Sequence, residues 1–211
     1  MRMTTIYLVR HGSTEWNETK RAQGLADIGL SEEGRRQAKA AAEKLADLHI
    51  DAVFASDLER AVDTAQAIAA PRGLEVQTDP AFREIDQGEW TGLPIAEIEE
   101  RWPDLWGGAR HYTRRPGGEA PHEVSARALE GLRRIVEAYP EGTVVVVSHG
   151  GPLRWLSAAA MGWDERESAR LRGVSNGGIL SLEASPNGRA LALEDLKRYD
   201  GASVSMDDPN A

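Results

Sequence analysis

The chain has no cysteine in its 211 residues, which excludes disulfide bonds, a thiolate nucleophile and Cys-based structural zinc sites. Long apolar runs are missing too. Nothing approaches the roughly 20 residues a membrane helix needs, and the opening MRMTTIYLVRHG carries no small-residue cleavage signal. A cytoplasmic protein with no membrane contact is expected. Positive charge is in deficit: Lys and Arg number 25 against 34 Asp and Glu, a formal net charge of −9. Nucleic acid is therefore repelled, and an anionic ligand needs a locally basic pocket. No Asp-x-Asp or His-x-His spacing offers metal ligands, so neither a metal nor another cofactor is expected.

What is present resembles an ordinary globular enzyme, with 41% hydrophobic and 28% charged residues and a length that favours one domain. Residues 5–9 form an apolar, β-branched run, read as a strand that ends at Arg10, His11 and Gly12. From Ser31, SEEGRRQAKAAAEKLADL places Ala38, Ala41, Ala42, Leu45 and Leu48 on one helical face behind a serine cap and two acidic first-turn residues. Residues 51–55 read as a second strand, after which Ser56 or Asp57 is expected to cap a helix through Ala70. Residues 74–78 read as a third strand, 121–139 as a helix, 143–147 as a central strand, and 152–161 as a helix. Strands over 178–184 and 190–194 flank an Asn187-Gly188 hairpin. No period persists over 79–118, where Phe82, Trp90, Trp102, Trp106 and Tyr112 are scattered among Gly and Pro. Such a stretch is expected to form a lid or pocket wall. The expected organisation is one domain over 1–198 with the lid-like insertion at 79–118, followed by a flexible tail over 199–211. Alternating strands and helices imply an α/β fold, a three-layer α/β/α sandwich on a mostly parallel sheet.

In such sheets ligands bind beyond the carboxyl ends of the strands, and His11 and His149 both fall at strand ends. Arg10 is adjacent to the first, Arg60 opens the helix after the second strand, and Gly150 could offer an amide beside the other histidine. Guanidinium forks match phosphate oxygens. Phosphoryl transfer needs a nucleophile, positive groups around three oxygens and a proton donor for the leaving alkoxide. His11 can supply the first, Arg10, Arg60 and His149 the second, and Glu84 the third. Alone, Glu84 reads more simply as a surface carboxylate. His49, His111 and His122 read as cap or surface histidines.

Taken in order, LVRHGSTEWN, ASDLERAVDTA, FREIDQGEWTG and VVSHGG resemble the four motif blocks of the histidine phosphatase superfamily, which also contains the cofactor-dependent phosphoglycerate mutases. The resemblance implies a phosphoglycerate mutase-like fold and a phosphomonoesterase acting on small phosphorylated metabolites. It also implies a phosphohistidine on His11, phosphate binding by Arg10, Arg60 and His149, and proton transfer by Glu84. Asn17, Gln23 and Gly24 would line the phosphate pocket, with Gly150 beside them. The alternative is mutase-type phosphoryl transfer. Mutases carry a longer insert than residues 85–148 allow, which favours the phosphatase branch; a homodimer is kept open. Ile28-Gly29-Leu30 and the PGGEA of residues 116–120 depart from the commonest pattern and are expected at the pocket rim. Trp106 and Tyr112 with Arg110, Arg114 and Arg115 are expected to grip the non-phosphate part of the substrate.

Overall fold

A computed structural model of the chain describes residues 3–187 and 190–199. Its centre is a six-stranded sheet in the order β3-β2-β4-β1-β5-β6. The strands are β1 (Thr4–Arg10), β2 (Ala52–Ala55), β3 (Val76–Thr78), β4 (Thr143–Ser148), β5 (Ile179–Asn187) and β6 (Ala190–Arg198). β3, β2, β4 and β1 run parallel, while β5 is antiparallel to β1 and β6 to β5. The expected mostly parallel, three-layer α/β sandwich is what is found.

Alternation along each strand separates two apolar layers. Ile6, Leu8, Val144 and Val146 face one side and pack with α5 (Pro121–Ala138) and α6 (Gly150–Ala160) through Leu132, Ile135, Leu153 and Leu156. Val9, Val53, Val145 and Val147 face the other and pack with α2 (Glu32–Lys44) and α3 (Glu59–Ala69) through Ala41, Ala61, Ala65 and Ile68. β4 is buried on both faces, which explains its unbroken Val144–Val147 run. The sheet ends therefore leave β1 and β4 side by side, with Arg10 opposite Ser148.

Several boundaries move for identifiable reasons. α2 begins where Ser31 Oγ accepts from the Gly34 amide at 3.1 Å but stops at Lys44, because residues 45–50 must bring Leu48 and Ile50 back onto the core before β2. Neither Ser56 nor Asp57 caps α3. Its N-cap position is Leu58, without a side-chain bond; the Glu59 amide instead donates to Asp27 Oδ1 at 2.7 Å, across 32 residues, and Asp57 pairs with Arg83. α6 starts at Gly150 rather than Pro152, and the proline sits in the first turn, where its missing N–H costs nothing. β5 and β6 run longer than expected and pair antiparallel down to Asn187 and Ala190; Gly188 of the expected turn lies outside the described residues. So does the expected tail beyond Tyr199, whose amide still donates to Ile179 O at 3.0 Å.

Residues 79–118 contain one short α-helix, α4 (Ile95–Arg101), and 3₁₀ turns at Pro80–Phe82, Gly88–Trp90 and Gly107–His111. They carry a small apolar cluster of their own: Trp90 and Ile98, with Leu93, Ile95, Trp102, Leu105 and Trp106 against them and Ala22 from the loop after β1.

Candidate active site

The tip of β1 is clasped from the far end of the chain. The Arg10 amide donates to Gly178 O and the Gly177 amide to Arg10 O, both at 3.0 Å. Asn176 Nδ2 donates to His11 O at 2.9 Å, and Arg10 Nη1 donates to Val174 O at 2.6 Å. On the other side, the His11 amide continues the β1–β4 ladder to Ser148 O at 3.0 Å. His11 is 3% exposed. Its Nδ1 lies 2.7 Å from Gly12 O; in the neutral ring that contact requires the proton on Nδ1, leaving the Nε2 lone pair free. Burial, and then the Arg60 and Arg10 charges, hold the His11 pKa well below the ordinary 6.5, while the Gly12 bond opposes the shift.

The loop after His11 requires two glycines. A Cβ on Gly12 would lie 2.2 Å from Gly34 O, and one on Gly34 would lie 1.9 Å from Ser13 O. Gly12 thus packs its backbone directly against the first turn of α2. Gly12 N also donates to Thr64 Oγ1 at 3.0 Å, and Thr64 Oγ1 donates to Arg60 O at 2.8 Å. That threonine, one turn after Arg60 on the same face of α3, ties the loop after His11 to the helix carrying the second arginine.

Arg60 is 1% exposed. Nη1 and Nη2 donate to Ala26 O and Gly24 O, both at 2.8 Å, and burial pulls its pKa down to about 10 against the raising influence of Glu84. Gly24 contributes a left-handed backbone, φ 53°, that offers this carbonyl. His149 is the N-cap residue of α6, fully buried, with its ring centroid 4.9 Å from that of His11 at 56°. Burial, the Arg60 charge, then His11 and the other guanidinium groups hold its pKa well below 6.5. Arg10 Nε, Arg60 Nε, both His149 nitrogens and Gln23 Oε1 are buried without a hydrogen-bond partner. Buried polar atoms are normally satisfied, so this concentration of nitrogen donors around His11 marks a place for an anion. Among the described residues no three His, Asp or Glu side chains gather as metal ligands, and the surrounding guanidinium charge repels a cation.

Glu84 lies against the first turn of α6. Its Oε1 accepts from the Ile85 amide at 2.9 Å and its Oε2 from the Gly151 amide at 3.3 Å, and its charge is felt at Arg10, Arg60 and Arg115. Gly150 opens α6 beside Arg10, but Gly151 is the constrained glycine: a Cβ there would lie 2.4 Å from Glu84 Oε1. Asn17 is committed through Oδ1 to the Thr14 amide and hydroxyl, closing a capping box on α1 (Glu15–Glu18), which leaves its amide nitrogen as the group to offer a ligand.

The residues expected at the upper wall have partners of their own. Arg114 bonds Glu123 and Gly118 O, and Tyr112, partly exposed, has Arg166 4.9 Å from its ring centroid. Arg115 is the buried member: its Nε donates to Gln87 Oε1 at 3.2 Å, and it lies over the Trp90 ring. Glu119 of the PGGEA stretch accepts from the Asp86 amide at 2.9 Å. Sequence reading missed Thr64, Asn176, Gly34 and Gly151. The first was legible as the residue one turn after Arg60; Asn176 gave no signal, because it sits in irregular chain 165 residues from its partner.

Residues 6–195 match the sequence profile of the histidine phosphatase superfamily (branch 1). The chain is 38% identical over 165 residues to phosphoserine phosphatase 1 of Hydrogenobacter thermophilus, covering 77% of this chain and 78% of that one. It is also 38% identical over 173 residues to the Cronobacter sakazakii protein named "Probable phosphoglycerate mutase GpmB", covering 81% and 80%. The solved native structure of a mycobacterial glucosyl-3-phosphoglycerate phosphatase superposes with a TM-score of 0.84 at 32% identity, covering 95% of this chain and 100% of that one.

Proposed function

This chain belongs to branch 1 of the histidine phosphatase superfamily and is a phosphoric monoester hydrolase; on that premise we propose that it hydrolyses small phosphorylated metabolites through a phosphohistidine on His11. The observation that carries this reading is the set of unpartnered nitrogens on Arg10, Arg60 and His149 around a histidine whose other ring nitrogen is already engaged.

In the first step His11 Nε2 attacks phosphorus. The bond to the ester oxygen breaks with its electron pair on oxygen, and the Glu84 carboxyl supplies the proton. Arg10 and Arg60 neutralise the equatorial oxygens. His149, neutral in the free site, gains a proton as the dianion enters and donates to the same group, an electrostatic contribution of several kcal/mol. In the second step Glu84, now a carboxylate, takes a proton from water as that water attacks phosphorus; the P–N bond breaks and its pair returns to Nε2. Gln23, Asn17 and the Gly24 and Gly150 backbones complete the pocket. Guanidinium groups provide the positive charge that a metal would otherwise supply, so independence from metal is part of this reading.

The chain is one domain in this proposal, and residues 79–118 form its lid over the alcohol part of the substrate. The names of the related proteins, a phosphoserine and a glucosyl-3-phosphoglycerate phosphatase, support small phosphate monoesters as the substrate class. The strongly acidic net charge supports a role without nucleic acid, and no described helix is long and apolar enough to cross a membrane. A cytoplasmic location, and a homodimer as an open assembly, are carried from the sequence into the same proposal. Mutase-type transfer remains the second reading because of the mutase-named relative.

The test is rapid acid-free quenching during turnover of p-nitrophenyl phosphate in EDTA, followed by mass spectrometry. Phosphate release with phosphate on His11 is expected. Release without a modified His11 ends the covalent mechanism, and strong stimulation by a bisphosphorylated primer moves the chain to the mutase reading.

A further inference from the structure

Glu84 sits in a stretch that is neither strand nor α-helix, so something other than secondary structure must hold it. Residues 81–84 expose four consecutive carbonyls, and side chains from elsewhere take all four. Arg127 Nη1 donates to Ala81 O at 2.8 Å and Arg83 O at 2.7 Å, and its Nη2 to Glu84 O at 3.0 Å. Ser148 Oγ donates to Phe82 O at 2.8 Å. Two residues on, the Asp86 amide donates to Glu119 Oε2 at 2.9 Å, and the Glu119 amide returns a bond to Asp86 O at 3.1 Å. Arg127 and Glu119 then close on each other, Nε to Oε1 at 3.2 Å and Nη2 to Oε2 at 3.1 Å.

All five N–H groups of Arg127 are consumed in this arrangement. None is left for a substrate, although its charge reaches His149. We propose that Arg127 and Glu119 are positioning residues that set the Glu84 carboxylate for proton transfer, a reading that rests on the acid–base role of Glu84 given above. The tolerance they enforce is narrow. Glu84 has Ile85 N on one oxygen and Gly151 N on the other, with no room for even a methyl group on Gly151. A backbone displacement of about 1 Å at such a group costs on the order of 100-fold in rate. A lysine cannot replace Arg127, because one ammonium cannot span carbonyls on both sides of residue 82 and a carboxylate as well.

The signature of a misplaced proton donor is dependence on the leaving group. Glycerol 2-phosphate expels an alkoxide that must be protonated, whereas p-nitrophenyl phosphate expels a stable phenolate. In kcat/KM, which reports phosphorylation of the enzyme, Glu84→Gln is expected to lose about 100-fold or more on the alkyl ester and far less on the aryl ester. Arg127→Met is expected to follow it, with the alkyl-to-aryl ratio falling about tenfold or more. Arg127→Lys and Glu119→Gln are expected to shift the ratio the same way by smaller factors, and they carry the test if Arg127→Met does not fold. Equal losses on both esters in folded Arg127 and Glu119 variants, with Glu84→Gln still discriminating, overturn the positioning role. Equal losses in Glu84→Gln itself remove the acid role, and the clamp's function with it.

Discussion

On the pocket floor, Arg10 is held by backbone groups of residues 174–178, His11 by the Gly177 amide together with the Asn176 side chain, and Arg60 by the carbonyls of Gly24 and Ala26. Over residues 90–115, by contrast, side chain packs on side chain. Arg101 lies 4.4 Å over Trp102, Arg110 4.7 Å over Trp106 and Arg115 5.1 Å over Trp90, while Trp90 and Trp106 meet at 5.5 Å. Peptide groups are the same in every sequence, so a floor built on them keeps its geometry while its surroundings change. An upper wall built on stacked side chains is altered by any single substitution. Under the proposed function, the floor suits chemistry common to all phosphate monoesters, and the wall suits discrimination among them.

Four substitutions and one titration can break or sharpen that contrast. His11→Ala is expected to lower turnover of every ester by about 1,000-fold or more while leaving the thermal midpoint near that of the unaltered protein; activity that survives would put the nucleophile elsewhere. Gly34→Ala drives a methyl into Ser13 O and is expected to cost about 3 kcal/mol or more in denaturant unfolding, with kcat falling alongside.

The titration concerns His11, His111 and His149, all buried with pKa values pushed down; for His111 the cause is burial, then the Arg154, Arg110 and Arg115 charges, and the value is about 3. Below 6.5 the unfolded imidazoles take up protons that the folded ones refuse. Stability is therefore complete above about pH 6.5 and declines as pH falls, by up to about 1.4 kcal/mol per pH unit for each histidine. Chemical denaturation between pH 7 and pH 5 measures the slope. His11→Ala removes one histidine from it, so an unchanged slope in that variant contradicts the assignment.

Trp106→Ala removes a half-buried stack from the upper wall and is expected to cost about 1–2 kcal/mol of stability. It should redistribute KM across a panel of phosphate esters while leaving kcat on p-nitrophenyl phosphate nearly intact; a uniform loss of kcat would mean the two regions are not separable. The smallest effect is expected from Ala120→Ser. Ala120 has no side-chain oxygen to cap α5, although Glu123 bonds back to the Ala120 amide at 2.8 Å, and a serine there is expected to add about 1 kcal/mol in the same denaturation measurement.

The two regions also differed in how far they could be read from sequence. The floor was legible because its residues sit at fixed places in regular elements: His11 and His149 end strands, and Arg60 opens a helix. Period-two and period-3.6 patterns locate such ends. The upper wall has no period, and its side-chain directions depend on partners remote in sequence, so Arg114 and Arg115 could not be told apart until one was found on Glu123 and the other on Trp90. The α3 cap failed for a related reason. Local sequence offered Ser56 and Asp57, but Asp27 from another loop took the position. The sequence places the PGGEA stretch at the pocket rim, and only the structure reveals that Glu119 bonds the Asp86 amide.

The clasp of residues 174–178 on the tip of β1 bears on how the enzyme comes into being. A nascent chain that has left the ribosome as far as Gly151 already holds His11, Arg60, Glu84 and His149, yet it lacks the amides and carbonyls that fix Arg10 and His11. Contacts of that sequence separation form late. The newborn protein thus acquires this support for Arg10 and His11 only once residues 174–178 have emerged, and a product terminated before them carries the proposed catalytic side chains without it.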